Sequence, residues 1–456
     1  MRERPKRAKG AAESDTPRAL LPLITLSRAG LLTLALLLAA PSPSCRTTPP
    51  ASTNNPPAQT AERKLSAEDR RRVLDEVWHT INDNYYDPKF NGVDWPAVRE
   101  RYRKLADEAP NDFEFYGLCE LMTAELRDSH TRYEPAPPPP DPSQPSEQPG
   151  AAGLVLGEAE GRTVVVRVDR GSAAERAGVR PGQVLRAVNG RAVEEVREEI
   201  RRRVAGASSE RSFQNLIGSS ILYGRVWGLP RRLRLEDAAG REFDYEVARE
   251  PRADVRVDAR RLESGFAYIA FDAWRQPAGR RFNEELDKMR DAPGLVIDLR
   301  GNGGGETDVL LEIATNFFPR ETYYGGFRRR DGRIDKYFTR KPARPYEKPV
   351  CILMDEMSAS ASESFAAFLQ EAGRARVVGR QSAGSTHNMR STRLPHGGTV
   401  HYSIRAYVTP QGRDPEGTGV VPDETVPLRL SDLRAGRDAA LEAAESWLRA
   451  NAGGKS

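Results

Sequence analysis

Cysteine is scarce in this chain of 456 residues, which contains three. Cys119 and Cys351 lie in apolar surroundings, and this setting predicts buried free thiols. The clustered cysteine and histidine pairs of a structural zinc site are missing as well. The sequence therefore excludes a disulfide-stapled scaffold and a cysteine-based zinc module.

Long hydrophobic runs are also missing. The apolar run at residues 29–40 has twelve residues, too few for a helix to cross a hydrocarbon core of roughly 30 Å. A cationic stretch precedes this run and the small residues 41–44 follow it, an order typical of a cleaved export signal. A retained anchor is the alternative. We expect export to the bacterial periplasm or the outside face of the envelope.

Cys45 and the tether behind it, which is rich in proline, threonine, serine and asparagine, resemble the start of a bacterial lipoprotein. Residues 42–44 (SPS) depart from the usual pattern before such a cysteine. Lipidation of Cys45, and with it a membrane tether through the N-terminus, therefore remains open from the sequence.

A basic surface for nucleic acid is not indicated, although the formal net charge is +5. Residues 1–28 hold seven basic and three acidic residues, which leaves about +1 on a chain that begins at Cys45. The basic excess belongs mainly to the export segment, and we expect no nucleic-acid partner.

Composition and periodicity divide the chain into segments. Apolar residues recur at helical spacing after residue 65, prolines crowd the region before residue 150, and strands alternate with helices after Gly265. This alternation predicts an α/β fold with a largely parallel sheet. The expected segments are a signal segment (1–44), a disordered tether (45–64), an N-terminal helical domain (65–135), a Pro-rich linker (136–149), a β domain (150–250), an α/β core (251–430), and a C-terminal helix and tail (431–456).

The β domain carries an ordered phrase. A GLVL segment precedes a predicted strand, and the phrase GSAAERAGVRPGQVL at residues 171–185 leads to the turn Asn189-Gly190. These residues resemble a PDZ domain that is interrupted by an apolar helix near residues 213–222. The resemblance implies that an extended peptide adds as a strand beside the GLVL edge; a PDZ-like domain without a ligand is the alternative. The peptide-binding residues predicted at that edge are Gly153, Leu154 and Val155.

Two motifs follow predicted strands of the core. The glycine-rich loop at residues 301–305 allows backbone N–H groups to converge on a small anion, as an oxyanion hole requires. A phosphate-binding loop is the rival, but the Lys-Ser/Thr pair of a P-loop is absent. The second motif, SASASE at residues 358–363, stands at a strand-to-helix turn that suits a nucleophilic serine, with helix capping as the alternative.

Together, DLRGNGGG at 298–305 and SASASE at 358–363 resemble the family of tail-specific and D1-processing peptidases with their tricorn-like relatives. DNYYDPKFNGVDW at 83–95 and GTGVVPD at 417–423 extend the resemblance over most of the chain after residue 65. It implies a serine peptidase that acts on extended or unfolded polypeptides without a metal or organic cofactor.

The same resemblance assigns site residues. It makes Ser360 the nucleophile that forms an acyl-enzyme, with Gly304 and Ala361 as backbone donors to the oxyanion. Tail-specific enzymes activate the serine with a lysine, but Ser385 stands at that position here, and lysine is absent between Lys348 and Lys455.

Histidine is the side chain best suited to replace the missing lysine as base. His130, within LRDSHTRY, resembles the catalytic histidine of tricorn-like members and is the predicted base. The other histidines are interpreted as packing, surface or sheet residues; they are His79, His387, His396 and His401.

A third residue must accept a hydrogen bond from the imidazole. Glu416 stands where tricorn-like relatives carry a glutamate, and Asp414 is its rival. Structural roles near the cleft are expected for Asp128 and Arg300. Two alternatives remain: a catalytically inactive PDZ-bearing binding protein or scaffold, and a Ser-Lys enzyme that uses a distant lysine such as Lys348.

Overall fold

The computed structural model describes residues 65–136, 150–203, 206–224, 231–251 and 255–452. The predicted export segment, Cys45, the tether and most of the Pro-rich linker lie outside these residues. Within the described part, none of the helices combines the length and the apolar character needed to cross a membrane.

The helical region begins at residue 67 and is built from capped amphipathic helices. Ser66 accepts a hydrogen bond from Asp69 N, and the Asp69 carboxylate accepts one from Ser66 N, which forms a capping box. Asp94 and Asn111 cap the next two helices, because their side chains accept hydrogen bonds from Ala97 N and Glu114 N. The apolar stripes meet in one buried cluster. The helices are α1 (Ala67–Asn84), α2 (Trp95–Glu108) and α3 (Asp112–Ala124), with a 3-10 turn at Phe90–Gly92.

The PDZ-like domain is an antiparallel sheet with the strand order β3-β4-β5-β7-β8, in which β3 is an edge strand and β6 pairs with β5. A two-stranded ladder of β2 and β9 closes the domain. Its elements are β2 (Gly150–Ala151), β3 (Leu154–Ala159), β4 (Arg162–Val168), α4 (Ala173–Arg176), β5 (Val184–Val188), β6 (Arg191–Ala192), α5 (Val193–Arg203), α6 (Glu210–Tyr223), β7 (Arg232–Glu236), β8 (Glu242–Glu246) and β9 (Glu250–Pro251).

The core contains a six-stranded sheet of order β10-β11-β12-β15-β16-β19. Strand β10 runs antiparallel to β11, and the other neighbouring pairs are parallel, as the alternation of strands and helices predicted. Helices α7, α8 and α9 cover one face, and α11 covers the other. The elements are β10 (Val257–Arg261), β11 (Ala267–Phe271), α7 (Ala278–Lys288), β12 (Leu295–Asp298), α8 (Thr307–Thr315), β15 (Val350–Met354), α9 (Ala361–Glu371), β16 (Arg376–Gly379), β19 (Glu424–Thr425), α10 (Leu430–Ala435) and α11 (Ala439–Asn451).

A second, antiparallel sheet joins the helical region to the core. Its order is β1-β18-β13-β14, and β17 also pairs with β18. Tyr133, Val400 and Tyr402 from this sheet pack into the apolar cluster of α1–α3. The sheet therefore brings the loop that precedes its first strand next to the core. The strands are β1 (Arg132–Glu134), β13 (Tyr323–Arg328), β14 (Ile334–Phe338), β17 (Asn388–Arg393) and β18 (Thr399–Val408).

Candidate active site

Ser360 lies at a strained turn between β15 and α9. Its backbone dihedrals are φ 55° and ψ −115°, a conformation that costs energy for a residue with a Cβ. Ser358 secures the turn, because its hydroxyl donates to Leu299 O at 2.9 Å and accepts from Asp355 N at 3.0 Å. The turn has the strand, nucleophile and helix order that presents a serine for attack.

The glycine-rich loop after β12 packs directly against this serine. A Cβ placed on Gly304 would lie 2.6 Å from Ser360 Cβ, so only glycine fits there. The Gly304 N–H donates to Asn302 Oδ1 at 3.0 Å in this conformation. The Ala361 N–H, at the first position of α9, has no acceptor among the described residues. Of the two predicted oxyanion donors, the Ala361 N–H is thus free to donate in this conformation. The Gly304 N–H must first give up its hydrogen bond to Asn302 Oδ1.

Glu363 connects the nucleophile turn to the loop after β16. Its buried carboxylate accepts hydrogen bonds from Ser360 N at 3.0 Å, Gly384 N at 2.6 Å and Ser385 N at 2.8 Å, and from Ser382 Oγ at 2.6 Å. Burial raises the pKa of Glu363 to about 7, although these donors oppose the shift. The loop carrying Ser385 is therefore held at a fixed distance from Ser360.

His130 enters this site from the loop before β1. Ser385 Oγ lies 3.1 Å from His130 Nδ1, and Ser385 O accepts a hydrogen bond from Ser360 N at 2.7 Å. The described residues show no direct hydrogen bond between Ser360 Oγ and the imidazole; Ser385 links the two. Burial lowers the pKa of His130 to about 4, Asp128 opposes this shift, and the charge of His387 adds to it.

Glu416 is the third predicted residue of the triad and lies close to His130. Its Oε2 accepts hydrogen bonds from Thr386 N at 2.6 Å and His387 N at 3.2 Å, and its Oε1 accepts one from Ser208 Oγ. Ligand-type atoms of Asp128, His130 and Glu416 all lie within 4.8 Å of one another. Hydroxyl and backbone donors engage both Glu416 oxygens in this arrangement.

Asp414, the rival of Glu416, points to a different partner. Its Oδ2 accepts from Arg328 at 3.1 Å, and its Oδ1 accepts from Glu416 N at 3.1 Å. Asp414 therefore supports the backbone of Glu416, and the carboxylates grouped with His130 are those of Glu416 and Asp128.

His387 corrects the sequence-based interpretation. It was expected at the surface or in a sheet, but its side chain is 1% exposed. Its Nδ1 lies 3.6 Å from Asp128 Oδ2, its Nε2 lies 3.8 Å from Glu416 Oε2, and its ring packs on Tyr86. Burial alone would lower the pKa of His387, but the Glu416 and Asp128 carboxylates outweigh it and raise the pKa to about 9. This raised pKa favours the protonated form of His387 at neutral pH, beside the proposed triad.

Three family models match this chain. Residues 265–426 match peptidase family S41, residues 66–124 match the tricorn protease C1 domain, and residues 164–212 match a PDZ domain. The core of this chain, residues 265–426, belongs to peptidase family S41. It is therefore a serine peptidase, and the predicted family and enzyme class are confirmed.

Curated relatives of this S41 peptidase carry consistent names. A carboxyl-terminal-processing protease of Synechocystis sp. is 24% identical over 377 residues, which cover 79% of this chain and 82% of that protein. A tricorn protease homologue of Streptomyces coelicolor is 27% identical over 392 residues, which cover 82% of this chain and 32% of that protein.

Solved structures show the same fold. The photosystem II D1 C-terminal processing protease aligns over 78% of this chain and 93% of its own, at 22% identity and a TM-score of 0.54. Mature CPAF aligns over 84% and 96%, at 14% identity and a TM-score of 0.61. The predicted combination of a helical region, a PDZ-like domain and an α/β peptidase core is confirmed.

Lys348, the candidate for a Ser-Lys variant of this S41 peptidase, lies far from the nucleophile turn. It precedes the first residue of β15, whereas Ser360 follows the last. Its Nζ donates to Arg290 O at 3.0 Å and Asp291 O at 2.7 Å. Its position at the opposite end of a buried strand argues against Lys348 as the base.

The predicted peptide-binding edge of the PDZ-like domain has a neighbour in this structure. Gly153 precedes β3 with φ +69°, and Leu154 and Val155 begin that edge strand. Helix α6 packs against both β3 and α5. Peptide addition at this edge stays a prediction, and it has to accommodate or displace α6.

Sequence reasoning singled out neither Glu363 nor Ser208. Glu363 is the last residue of SASASE. Its position three residues after Ser360 was a signal for it, because a carboxylate at that spacing can accept a hydrogen bond from the Ser360 N–H. Ser208 offered no local signal, because its partners Ser129 and Glu416 are distant in the chain.

Proposed function

We propose that this S41 peptidase is an exported endopeptidase that cleaves extended or unfolded polypeptides through an acyl-enzyme on Ser360. His130 acts as general base and general acid, and Glu416 orients and stabilises the imidazole. One observation carries the proposal: an imidazole from the helical region meets the loop that is hydrogen-bonded to the strained Ser360 turn.

The reaction is acyl transfer to serine followed by hydrolysis. Ser360 Oγ attacks the scissile carbonyl carbon while His130 takes the hydroxyl proton, and the Ala361 N–H faces the oxyanion. The C–N bond breaks as His130 returns the proton to the leaving amine. Water then attacks the ester with His130 again as base, which releases the acid and restores Ser360.

The resting arrangement needs a short adjustment before this step. Ser385 Oγ occupies the hydrogen-bonding position on His130 Nδ1 in the described structure. Catalytic hydrogen bonds are often long in the free enzyme and tighten when substrate binds. We expect bound peptide to turn the Ser385 hydroxyl aside and align Ser360 with the imidazole.

The electrostatics of the site keep His130 unprotonated at neutral pH. Because burial lowers its pKa to about 4, the imidazole is neutral and can accept a proton. His387 lies 3.6 Å from Asp128 and 3.8 Å from Glu416, and its raised pKa favours a positive charge that balances part of theirs.

Two further parts of the proposal rest on sequence and relatives. The apolar run at residues 29–40 before Cys45 supports export to the cell envelope, where lipidation of Cys45 would supply a membrane tether. The relatives named for carboxyl-terminal processing support a polypeptide substrate.

Active-site labelling tests the proposal. Purified protein is incubated with a fluorophosphonate probe, and the modified peptide is identified by mass spectrometry, alongside turnover of a casein-like substrate. We expect wild type to be labelled on Ser360 and active, whereas Ser360→Ala is neither and His130→Ala is strongly impaired in both. Absence of labelling in folded wild type would instead support the inactive binding protein.

A further inference from the structure

Helix α6 packs against both the edge strand β3 and helix α5, at the edge where a peptide is predicted to add. Gly218 of α6 faces β3 so closely that a Cβ there would lie 3.2 Å from Leu156 O. Phe213, Ile217 and Ile221 are buried in the apolar cluster of the PDZ-like domain. Tyr223, the last residue of the helix, accepts a hydrogen bond from Ala152 N at 3.1 Å.

Two arginines of α5 fasten the helix from the other side. Arg197 contacts β3 and α6 together, because its Nη2 lies 3.1 Å from Glu158 Oε2 and 2.9 Å from Gln214 Oε1. Arg201 stacks over the Phe213 ring, with 4.8 Å between the guanidinium carbon and the ring centroid. Both apolar packing and polar contacts therefore hold α6 against the PDZ-like domain.

The first turn of α6 reaches the catalytic loops of the core. Ser212 Oγ donates to Ala383 O at 3.0 Å, and Ser209 Oγ donates to the same carbonyl. Arg211 Nε donates to Ser382 O at 2.5 Å, and its Nη2 donates to Thr418 O at 2.8 Å. These carbonyls belong to the loops that carry Ser385 and Glu416.

Ser208, two residues before α6, completes this connection. Its hydroxyl accepts from Ser129 N at 2.9 Å and donates to Glu416 Oε1, while its own N–H donates to Ser129 Oγ at 2.9 Å. Ser129 is the residue before His130. One hydroxyl therefore touches both the backbone that carries the base and the carboxylate that serves it.

We propose that Ser208 is a positioning residue of the active site. It holds Glu416 beside His130, and helix α6, which packs against β3 and α5, fixes the position of Ser208. The inference rests on the proposed roles of His130 and Glu416. Ser208 contacts no reacting atom in this scheme, and it acts through the geometry of the two residues it joins.

Steady-state kinetics on three variants of the full chain test the inference. Ser208→Ala removes the hydroxyl, Ser208→Thr keeps it, and Ser219→Ala changes an exposed serine of the same helix as a control. Misplacing a catalytic group costs roughly 10- to 100-fold, so Ser208→Ala should lose about that much in kcat with KM within about twofold. Ser208→Thr should recover most of the loss, and Ser219→Ala should match wild type.

The outcomes separate this inference from the proposed function. A wild-type kcat in Ser208→Ala, a loss confined to KM, or an equal loss in Ser208→Ala and Ser208→Thr would overturn the positioning role. His130→Ala and Glu416→Ala are measured in parallel with the fluorophosphonate probe. If the probe labels both variants as fast as wild type, the proposed triad itself fails. If it labels Ser208→Ala as fast as wild type but labels His130→Ala and Glu416→Ala slowly, the triad stands and Ser208 does not position it.

Discussion

The nucleophile side of the site and the base side are built in different ways. On the nucleophile side, Ser360, Glu363 and Ser358 come from one short segment, and Gly304 comes from the loop of the neighbouring parallel strand. On the base side, His130, Ser208, Ser385 and Glu416 come from four segments spread over most of the described chain. The first side depends on local turn geometry, and the second depends on how the helical region, the PDZ-like domain and the core pack together.

The largest expected effect tests the nucleophile side. Ser360→Ala should lower turnover of a casein-like substrate by about 10⁴-fold or more, because no covalent intermediate can form. Thermal unfolding should show that the variant remains folded, and Ser219→Ala serves as the active control. Turnover near the wild-type rate in Ser360→Ala would move the nucleophile elsewhere.

The nucleophile side was accessible from sequence because its residues are close together in the chain. The glycine-rich loop and SASASE were each expected to follow a strand of the core, and those strands, β12 and β15, are parallel neighbours. The expected oxyanion donors were not equivalent, since the side chain of Asn302 already engages the Gly304 N–H. Such a side-chain hydrogen bond depends on a rotamer that local sequence does not specify.

The base side was accessible only through family resemblance. That resemblance pointed to His130 and Glu416, which the structure brings to the same site. It did not indicate the burial of His387 between two carboxylates, nor Ser208 as their neighbour. These contacts depend on packing between distant segments, which residue periodicity does not encode.

A second prediction asks whether the base is histidine or lysine. His130→Ala should reduce kcat by about 10³-fold, because the Ser360 hydroxyl is then left without a base. Lys348→Met should stay within about threefold of wild type, since Lys348 lies at the other end of β15 and caps backbone carbonyls there. The reverse ranking in the peptidase assay would establish a Ser-Lys enzyme.

A third prediction asks how strongly the PDZ-like domain supports the base side. Gly218→Val should push α6 away from β3, because even the Cβ of the new side chain would lie 3.2 Å from Leu156 O. We expect kcat to fall about tenfold through displacement of the loops that α6 contacts. Ser219→Val adds the same side chain at an exposed position of the same helix and should leave kcat unchanged. Equal rates in both variants would uncouple α6 from catalysis.

A fourth prediction concerns stability and His387. Its folded pKa of about 9 lies above the ordinary value of 6.5. Its contribution to the free energy of unfolding is therefore full below pH 6.5 and is lost as the pH rises through about 9.

Urea unfolding measures this contribution. Between pH 6 and 9 wild type should lose up to about 3 kcal/mol more than His387→Gln, which has no imidazole to deprotonate. Parallel pH profiles for the two proteins would contradict a buried imidazolium at this position.

The most direct test of the account is the pH dependence of fluorophosphonate labelling at Ser360 in wild type and in His130→Ala. Because the pKa of His130 is lowered to about 4, wild-type labelling should stay fast from neutral pH down to about pH 5 and then fall. In His130→Ala, labelling should be slow at every pH, without that inflection. Equal labelling rates and identical pH profiles in the two proteins would contradict the claim that this imidazole activates Ser360.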